Sequence, residues 1–308
     1  MAQKTITIDD TYAGMRLDKV VALSLGLGRG PVRRLFEEGR VRVGRRPGVK
    51  GDVLPAGATV EVSLPEVEGE AALAEAAPAR PLVVLVETPE AVVVDKPAGQ
   101  PSAPLRPGET GALANALVGR YPEMAGVGFH PREPGLVHRL DTGTSGVLVA
   151  ARSAAAFEAL SAGLKAGRLA KDYLAVCQDD ELPETGHVDI PLAPHPKDSR
   201  RVLACLHPRD VARLEPRPAS TEYRVERRAG GRALVRVRAP RALRHQIRAH
   251  LAAIGCPIVG DELYGAEPVP GLGRHALHAT FVGWRGGDGV SPFEARSPLP
   301  AELEALLA

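Results

Sequence analysis

The stretch that decides the fold is Gly135–Arg152, which reads GLVHRLDTGTSGVLVAAR. Its apolar segments Leu136–Leu140 and Gly146–Ala151 have the composition of strands and flank a turn of Gly, Thr and Ser. One carboxylate, Asp141, lies in that turn. Small neighbours would let a bulky substrate approach the backbone closely, but an Asp in a turn also commonly bonds its own backbone. From these residues alone, a catalytic and a structural role for Asp141 both stay open.

The segments on either side of this stretch predict a mixed sheet. Leu82–Val86 and Val92–Asp95 are β-branched runs separated by a Pro-containing turn, which is the pattern of a hairpin. Further strands are predicted at Tyr173–Cys177 and Arg232–Arg238, and helices at Ser153–Ala166 and Leu243–Ile254. Hairpins outnumber strand–helix–strand units, so we expect an α+β fold with a mixed, largely antiparallel sheet.

The predicted helix Leu243–Ile254 offers a cation to Asp141. Its apolar residues recur at helical spacing, and Arg244 and Arg248 are i and i+4 neighbours beside them. Both could therefore point at one site. A nearby guanidinium lowers the pKa of a carboxyl group, and we expect Arg248 to keep Asp141 ionised. A solvent-facing arginine pair is the alternative.

The first 65 residues predict a separate small domain. Arg16–Leu25 and Pro31–Glu38 have helical spacing, whereas the residues around Val41–Val43 and Thr59–Leu64 alternate as strands do. Residues 66–80 are rich in Ala, Glu and Pro and predict a linker. We therefore expect a small α/β domain at 1–65, a linker at 66–80 and a larger domain at 81–308.

The small domain carries a basic cluster. Between positions 29 and 50 the sequence has eight basic residues and only two acidic ones, Glu37 and Glu38, so the local net charge is +6. The basic residues are Arg29, Arg33, Arg34, Arg40, Arg42, Arg45, Arg46 and Lys50. Such density favours a polyanionic partner. A solvated basic surface is the alternative.

Composition excludes several classes of protein. Of 308 residues, 44% are hydrophobic and 25% charged, values typical of globular proteins rather than disordered ones. No run approaches the roughly 20 apolar residues of a membrane span, and the first residues do not resemble a secretion signal. The three cysteines are scattered and the histidines lack metal-ligand spacing. We expect a cytoplasmic protein with no membrane association and no metal site, monomeric by default.

The larger domain contains four further motifs besides GLVHRLDTGTSGVLVAAR: VDKPAG at Val94–Gly99, KDYLAV at Lys171–Val176, HQIRAHLAAIGCPIVGDELYG at His245–Gly265 and LHA at Leu277–Ala279. In sequence and in order, these motifs resemble those of the RluA-type pseudouridine synthases. Together they cover nearly all of 81–308. Several ordered motifs carry far more weight than one short pattern.

This resemblance implies a reaction and roles for named residues. A uridine in RNA would be flipped out of its stack, detached, turned and rejoined through carbon 5, without a metal or cofactor. Asp141 matches the family's aspartate, Arg248 its basic partner and Tyr173 its active-site tyrosine, which makes these three the expected catalytic residues. Lys96, Arg139 and Arg244 are expected contacts to RNA, and His138 is expected to be structural.

The small domain contains the stretch MRLDKVVALSLGLGRGPVRRLFEEGRVRVGRR, followed by GDVLPAGATVEV. Together these stretches show a resemblance to the S-four RNA-binding domain. It implies that basic side chains contact structured RNA: Arg29, Arg33, Arg34, Arg40 and Arg42. With this pairing of domains the expected target is large-subunit ribosomal RNA, and transfer RNA is the alternative.

Two stretches depart from the family. Arg241-Ala242-Leu243 stands where the family usually has Thr-Gly-Arg, and Gln100–Pro104 replaces a Val-Val-His-Pro-like run. These departures keep a second hypothesis open, an RNA-binding ribosome-assembly factor with a degenerate synthase domain. A glycoside hydrolase with paired carboxylates ranks last, because no second acid stands in a comparable turn. Two roles stay open for Asp141 in the synthase reading: attack on the pyrimidine ring or action at the sugar.

Overall fold

The chain divides into two compact units, Met1–Ala71 and Ala72–Ala308. A computed structural model describes residues 2–9, 11–25, 29–64, 73–178, 182–240 and 243–308, with the backbone alone at 2, 29–31 and 64. Residues 66–72 of the predicted linker 66–80 lie outside the described residues. Residues 73–80 belong to the second unit, where Ala74 is buried.

The first unit packs two helices on a small antiparallel sheet. Its elements are β1 (Ala2–Thr7), α1 (Leu17–Leu25), α2 (Arg29–Glu37), β2 (Val41–Val43), β3 (Arg46–Pro47) and β4 (Thr59–Leu64). The strand order is β1-β4-β2-β3. Apolar residues at helical spacing in α1, such as Leu17, Val20 and Val21, share one core with the alternating Val60 and Val62 of β4. The two predicted helices are thus present.

The second unit is built around a nine-stranded sheet. Its strands and helices are β5 (Val83–Glu87), β6 (Ala91–Lys96), α3 (Leu113–Arg120), β7 (Ser145–Ala151), α4 (Ala154–Lys165), β8 (Ala170–Gln178), β9 (Thr185–Val188), β10 (Leu192–Pro194), β11 (Val202–Ala204), α5 (Pro208–Leu214), β12 (Thr221–Ala229), β13 (Arg232–Arg238), α6 (Gln246–Ala253), β14 (Leu277–Trp284), β15 (Phe293–Arg296) and α7 (Ala301–Glu304). Short 3-10 turns lie at Pro122–Met124, Glu262–Tyr264 and Ala305–Leu307.

The topology confirms the expected mixed, largely antiparallel sheet. The strands follow the order β5-β6-β7-β14-β8-β13-β12-β9, with β15 beside β14, and β10 pairs with β11 separately. Between the described strands, the one parallel pairing joins β7 to β14. All seven residues of β7 are buried, as expected of a central strand with both faces covered.

The backbones of β7 and β14 approach each other closely where β7 begins. Gly146 has a φ of +111°, and a Cβ atom there would lie 2.1 Å from the carbonyl oxygen of Ala279 on β14. Only glycine fits such an approach. Gly146 therefore allows the start of β7, and the turn before it that carries Asp141, to lie directly against β14.

The predicted strand Leu136–Leu140 is wrong. The segment is a loop in which Leu136, Val137 and Leu140 are buried, with a single bridge from Leu136 to Ala150. The Ser102 hydroxyl replaces a strand partner: it donates to the carbonyl of Leu140 at 2.7 Å and accepts from the amide of Leu140 at 3.1 Å. The apolar run reflected burial, which a satisfied loop allows equally well.

The helix predicted at Leu243–Ile254 begins three residues later, at Gln246. His245 has a φ of +52°, a left-handed conformation that ends helical continuity. The side-chain oxygen of Gln246 instead accepts from the amide of Leu243 at 2.9 Å. Arg244 is therefore outside the helix, and the i, i+4 argument that paired it with Arg248 fails.

Candidate active site

Asp141 lies in a cavity of about 640 Å³ in the second unit. The cavity also receives Tyr173 from β8 and Arg248 from α6, so the fold brings the three predicted catalytic residues together. The Asp141 side chain keeps 26% of its surface exposed. The carboxylate is thus accessible to a ligand that enters the cavity.

Hydrogen bonds fix the turn around Asp141 on both sides. The Thr144 hydroxyl lies 2.8 Å from His275 Nε2, and the Ser145 hydroxyl lies 2.9 Å from His278 Nδ1 on β14. The amide of Thr144 also donates to the carbonyl of Asp141 at 3.0 Å. The Thr and Ser residues of the motif therefore hold the carboxylate in place.

Arg248 binds two carboxylates at once. Its Nη1 donates to Asp141 Oδ2 at 2.9 Å, while Nε and Nη2 donate to Asp261 Oδ2 and Oδ1 at 2.7 and 2.8 Å. Burial alone would lower the pKa of Arg248, but its bonds to Asp261 and Asp141 outweigh burial and raise that pKa. The guanidinium is permanently charged, and the bidentate contact to Asp261 fixes its direction.

His245 is a second neighbour of Asp141. Its Nε2 lies 3.7 Å from Asp141 Oδ2, and its Nδ1 lies 3.0 Å from the hydroxyl of Tyr264. That hydroxyl accepts from the amide of Val202 at 3.0 Å, so its own proton is free to donate to Nδ1. We assign the proton of neutral His245 to Nε2, the atom facing Asp141. Burial lowers the pKa of His245, which favours the neutral form.

Tyr173 is buried within the sheet. It pairs with Val237 on β13 and Ala279 on β14, and 4% of its surface is exposed. Burial, and then the negative charge of Asp141, raise the pKa of its hydroxyl above the ordinary value. The hydroxyl is therefore protonated at neutral pH and can donate a hydrogen bond into the cavity.

The structure does not support Lys96 as an RNA contact. The residue is 0% exposed, and its ammonium donates to the carbonyls of Pro97, Gln100 and Thr142 at 2.9, 2.7 and 3.4 Å. Burial lowers the pKa of Lys96 to about 8. The lysine ties two loops together, one of them the turn of Asp141.

Arg139 and Arg244 differ in their surroundings, although both line the cavity and are exposed. Arg139 forms an ion pair with Glu133 at 2.7 Å. Arg244 donates to the carbonyls of Ser199 and Arg200 at 3.0 and 2.8 Å. Each guanidinium already has an acceptor, and contact with RNA stays a prediction for both.

The predicted RNA-binding arginines of the first unit are not equivalent. Arg33 pairs with Glu37 at 2.6 Å and Arg40 with Glu38 at 2.5 Å. Arg34 and Arg42 are exposed, and no carboxylate in the described part of the chain pairs with them. The side chain of Arg29 lies outside the described residues. The two glutamates therefore neutralise part of the basic cluster.

Sequence reasoning missed Asp261 and His245. Asp261 lies in GDELYG and His245 opens HQIR, so both stood inside motifs already recognised. The local signal for Asp261 is an acid beside a tight turn, and acids are common at turns whatever a protein does. Among the residues that the structure describes, no group of three or more His, Cys, Asp and Glu is placed to hold a metal ion, and no helix is long and apolar enough to cross a membrane.

Comparison with known proteins gives the family. The family model described as "RNA pseudouridylate synthase" matches residues 90–253, which include Asp141, Tyr173 and Arg248. An "Uncharacterized RNA pseudouridine synthase" of Chloroflexus aurantiacus is 35% identical over 99% of this chain and 93% of its own length. The chain belongs to the RNA pseudouridine synthase family.

Further relatives and solved structures agree with this assignment. A "Ribosomal large subunit pseudouridine synthase D" of Xanthomonas campestris is 34% identical over 98% of this chain and 90% of its own. Human RNA pseudouridylate synthase domain containing 1 shares the fold with a TM-score of 0.57 at 23% identity, over 73% of this chain and 86% of its own. Because the identity is low, this likeness shows the pseudouridine synthase fold alone.

Proposed function

We propose that this synthase converts uridine to pseudouridine in large-subunit ribosomal RNA, with Asp141, Tyr173 and Arg248 as its catalytic residues. One observation carries the proposal: a carboxylate open to a cavity is bound at 2.9 Å by an arginine whose other nitrogens are bound by Asp261. This arrangement places a carboxylate next to a fixed cation where a flipped base can reach it.

Each residue has a role that follows from its surroundings. Whether Asp141 attacks the pyrimidine ring or acts at the sugar, the step needs the ionised carboxylate, which Arg248 stabilises. The ring of Tyr173 would stack on the uracil, and its protonated hydroxyl would help to move the proton that leaves carbon 5. Asp261 acts through Arg248 as a positioning residue.

The choice of ribosomal RNA rests on the relatives and on the first unit. Relatives from Xanthomonas campestris, Nitrosomonas europaea and Yersinia pestis, each at least 30% identical, bear the name "Ribosomal large subunit pseudouridine synthase D". In this proposal residues 1–65 act as an S-four RNA-binding domain that supplies affinity for the RNA backbone. Transfer RNA is the alternative substrate.

Mapping of pseudouridines tests the proposal. Total RNA from cells with and without this protein should differ at one or a few uridines of large-subunit ribosomal RNA, and the purified chain should restore them in vitro. Asp141→Asn should abolish conversion while RNA affinity changes less than about threefold, because the side chain keeps its shape and loses its charge. Conversion by the purified variant would remove Asp141 from the mechanism.

The same experiment addresses the second hypothesis, a ribosome-assembly factor with an inactive synthase domain. If the purified chain binds ribosomal RNA and forms no pseudouridine, that hypothesis replaces the first. The intact Asp141–Arg248 contact favours the enzyme.

A further inference from the structure

Lys171 is a buried cation of the same cavity to which the proposed mechanism assigns no task. It lies two residues before Tyr173 on β8, so both side chains leave the strand on the same face, and both line the cavity. Only 7% of Lys171 is exposed. Among the residues that the structure describes, no hydrogen bond or ion pair reaches its ammonium.

The nearest carboxylate in sequence cannot serve as a partner. Asp172 points to the opposite face of β8, where Arg238 binds it at 2.7 Å and Arg236 lies at 3.7 Å. Asp141 is the one carboxylate among the described residues that line the cavity, and Arg248 binds it. A buried ammonium without an acceptor costs stability, which favours a functional reason for its presence.

His138 beside Lys171 adds a second unused donor. Its Nε2 accepts from the amide of Val149 at 3.3 Å, which places the ring proton on Nδ1. Nδ1 is buried and has no partner among the described residues. Burial, and then the charge of Lys171, lower the pKa of His138 to about 3, so the ring is neutral and offers no negative charge. Among the described residues, neither the ammonium of Lys171 nor Nδ1 of His138 has an acceptor.

We propose that Lys171 stabilises the negative charge that develops on the uracil ring during isomerisation. The inference rests on the proposed function. If the glycosidic bond breaks, its electron pair stays on N1 and spreads to O2 and O4; if a nucleophile adds to carbon 6, the electrons move to O4. In both cases a ring carbonyl oxygen becomes an anion, and Lys171 donates a hydrogen bond to it without transferring its proton.

A backbone phosphate is a poorer match for this position. A phosphodiester is tethered on both sides to the RNA chain outside the cavity, whereas the base is the part of a flipped nucleotide that enters deepest. Lys171 is more enclosed than the Asp141 side chain, of which 26% is exposed. A cation at this depth fits the ring oxygens.

Lys171→Met tests the inference, and Lys96→Met is its matched control. The ammonium of Lys96 has three carbonyl acceptors and that of Lys171 has none among the described residues. We expect Lys171→Met to keep or raise the melting temperature, whereas Lys96→Met lowers it. Single-turnover conversion by Lys171→Met should fall about 100-fold or more, while its Kd for RNA stays within about threefold.

Three outcomes for Lys171→Met would overturn the inference. The first is a conversion rate within threefold of wild type, and the second is weaker RNA binding at an unchanged rate, which indicates a phosphate contact. The third is a lowered melting temperature like that of Lys96→Met. Wild-type chain assayed in parallel separates this failure from that of the proposed function. If wild type converts no uridine, the proposed function fails; if it converts and Lys171→Met does too, only this inference fails.

The pH profile of the wild-type protein gives a test that needs no variant. Burial lowers the pKa of Lys171 to about 8, so the charge is present below that pH and is lost above it. The other charged or titratable side chains lining the cavity are His138, Arg139, Asp141, Lys165, Arg217, Arg244, His245, Arg248 and Tyr173. The pKa of Tyr173 is raised above 10 and that of His245 is lowered below 6.5.

We therefore expect kcat/KM, which reports groups of the free enzyme, to fall as the pH rises through about 8. In Lys171→Arg the fall should move to higher pH, because a guanidinium stays protonated. A wild-type profile that is flat to pH 9.5 contradicts the inference.

Discussion

At the residue scale, the carboxylate of Asp141, the proposed catalytic group, depends on a second acid. Asp261 has 1% of its side chain exposed and binds Arg248 through both oxygens. Removing one partner of a buried ion pair leaves an uncompensated charge. The proposed catalytic aspartate is therefore supported, through Arg248, by a second aspartate that is buried.

Asp261→Asn should lower the free energy of unfolding by about 3–5 kcal/mol. Conversion by the folded variant should also fall, because Arg248 loses the contact that directs it at Asp141. Glu302→Gln is the control, since Glu302 pairs with the buried Arg274 but is 55% exposed, and it should cost at most about 1 kcal/mol. Urea denaturation measures both variants. Equal free energies of unfolding for the two variants would show that the buried Asp261–Arg248 pair stabilises the protein no more than the Glu302–Arg274 pair does.

Tyr264→Phe tests the support of His245. It removes the hydroxyl between Val202 and His245. We expect a loss of about 1–3 kcal/mol from the unpaired amide. We also expect a rate about tenfold lower, equivalent to about 1.4 kcal/mol, because His245 loses its fixed tautomer beside Asp141.

Tyr121→Phe is the matched control for Tyr264→Phe. Tyr121 is also buried, and its hydroxyl donates to Glu87 at 2.7 Å, away from the cavity. Thermal unfolding and single-turnover rates should separate the two: Tyr121→Phe changes stability and leaves the rate alone. A wild-type rate in Tyr264→Phe would mean that His245 does not need this hydroxyl.

At the element scale, the sequence predicted which elements form better than where they end. The hairpin β5–β6, the strand β8 and the helix α4 were expected within a few residues of their bounds. The start of α6 was wrong because a left-handed His245 has no sequence signature. The predicted strand Leu136–Leu140 was wrong because its backbone groups are paired outside a strand ladder. Ser102, 38 residues before Leu140, binds both backbone groups of Leu140.

In the candidate site, the sequence likewise predicted which residues take part better than it predicted their contacts. Asp141, Tyr173 and Arg248 were expected from motif resemblance, and the structure brings them into one cavity. The contacts of Asp261, and the lack of an acceptor for Lys171 among the described residues, depend on distances between separate elements. No local pattern in the sequence encodes such distances.

Gly146→Ala should be among the most damaging small substitutions in the second unit. Its methyl group would overlap the carbonyl oxygen of Ala279, so β7 and β14 must separate where Asp141 is held. Gly167→Ala is the control: its φ is +72°, but nothing lies within 4 Å of the added Cβ atom. We expect about 1–2 kcal/mol of backbone strain in the control.

Gly146→Ala should cost more than that strain and should also lower conversion. Thermal melting of both variants, followed by activity below the melting temperature, measures the two effects. Similar melting temperatures would show that the close approach of β7 and β14 tolerates a methyl group.

At the scale of the whole molecule, the two units divide the proposed work. The second unit holds the cavity, and the first holds exposed arginines that no described carboxylate pairs with. Net charge did not reveal this arrangement, because the chain as a whole carries only +2. Arg33 and Arg40 are paired with glutamates. Of the described arginines proposed to bind RNA in the first unit, this leaves Arg34 and Arg42 without a carboxylate partner.

Arg34→Gln combined with Arg42→Gln should weaken RNA binding and reduce its dependence on salt. Each lost phosphate contact lowers the slope of log K against log salt by about one unit, because fewer counterions are released. Lys4→Gln combined with Lys19→Gln removes the same charge from exposed positions of the same unit outside α2 and β2. Binding titrations at several salt concentrations compare the two double variants. Equal slopes would mean that the unit acts through its total charge, whereas a flatter slope for the arginine pair alone would assign the phosphate contacts to α2 and β2.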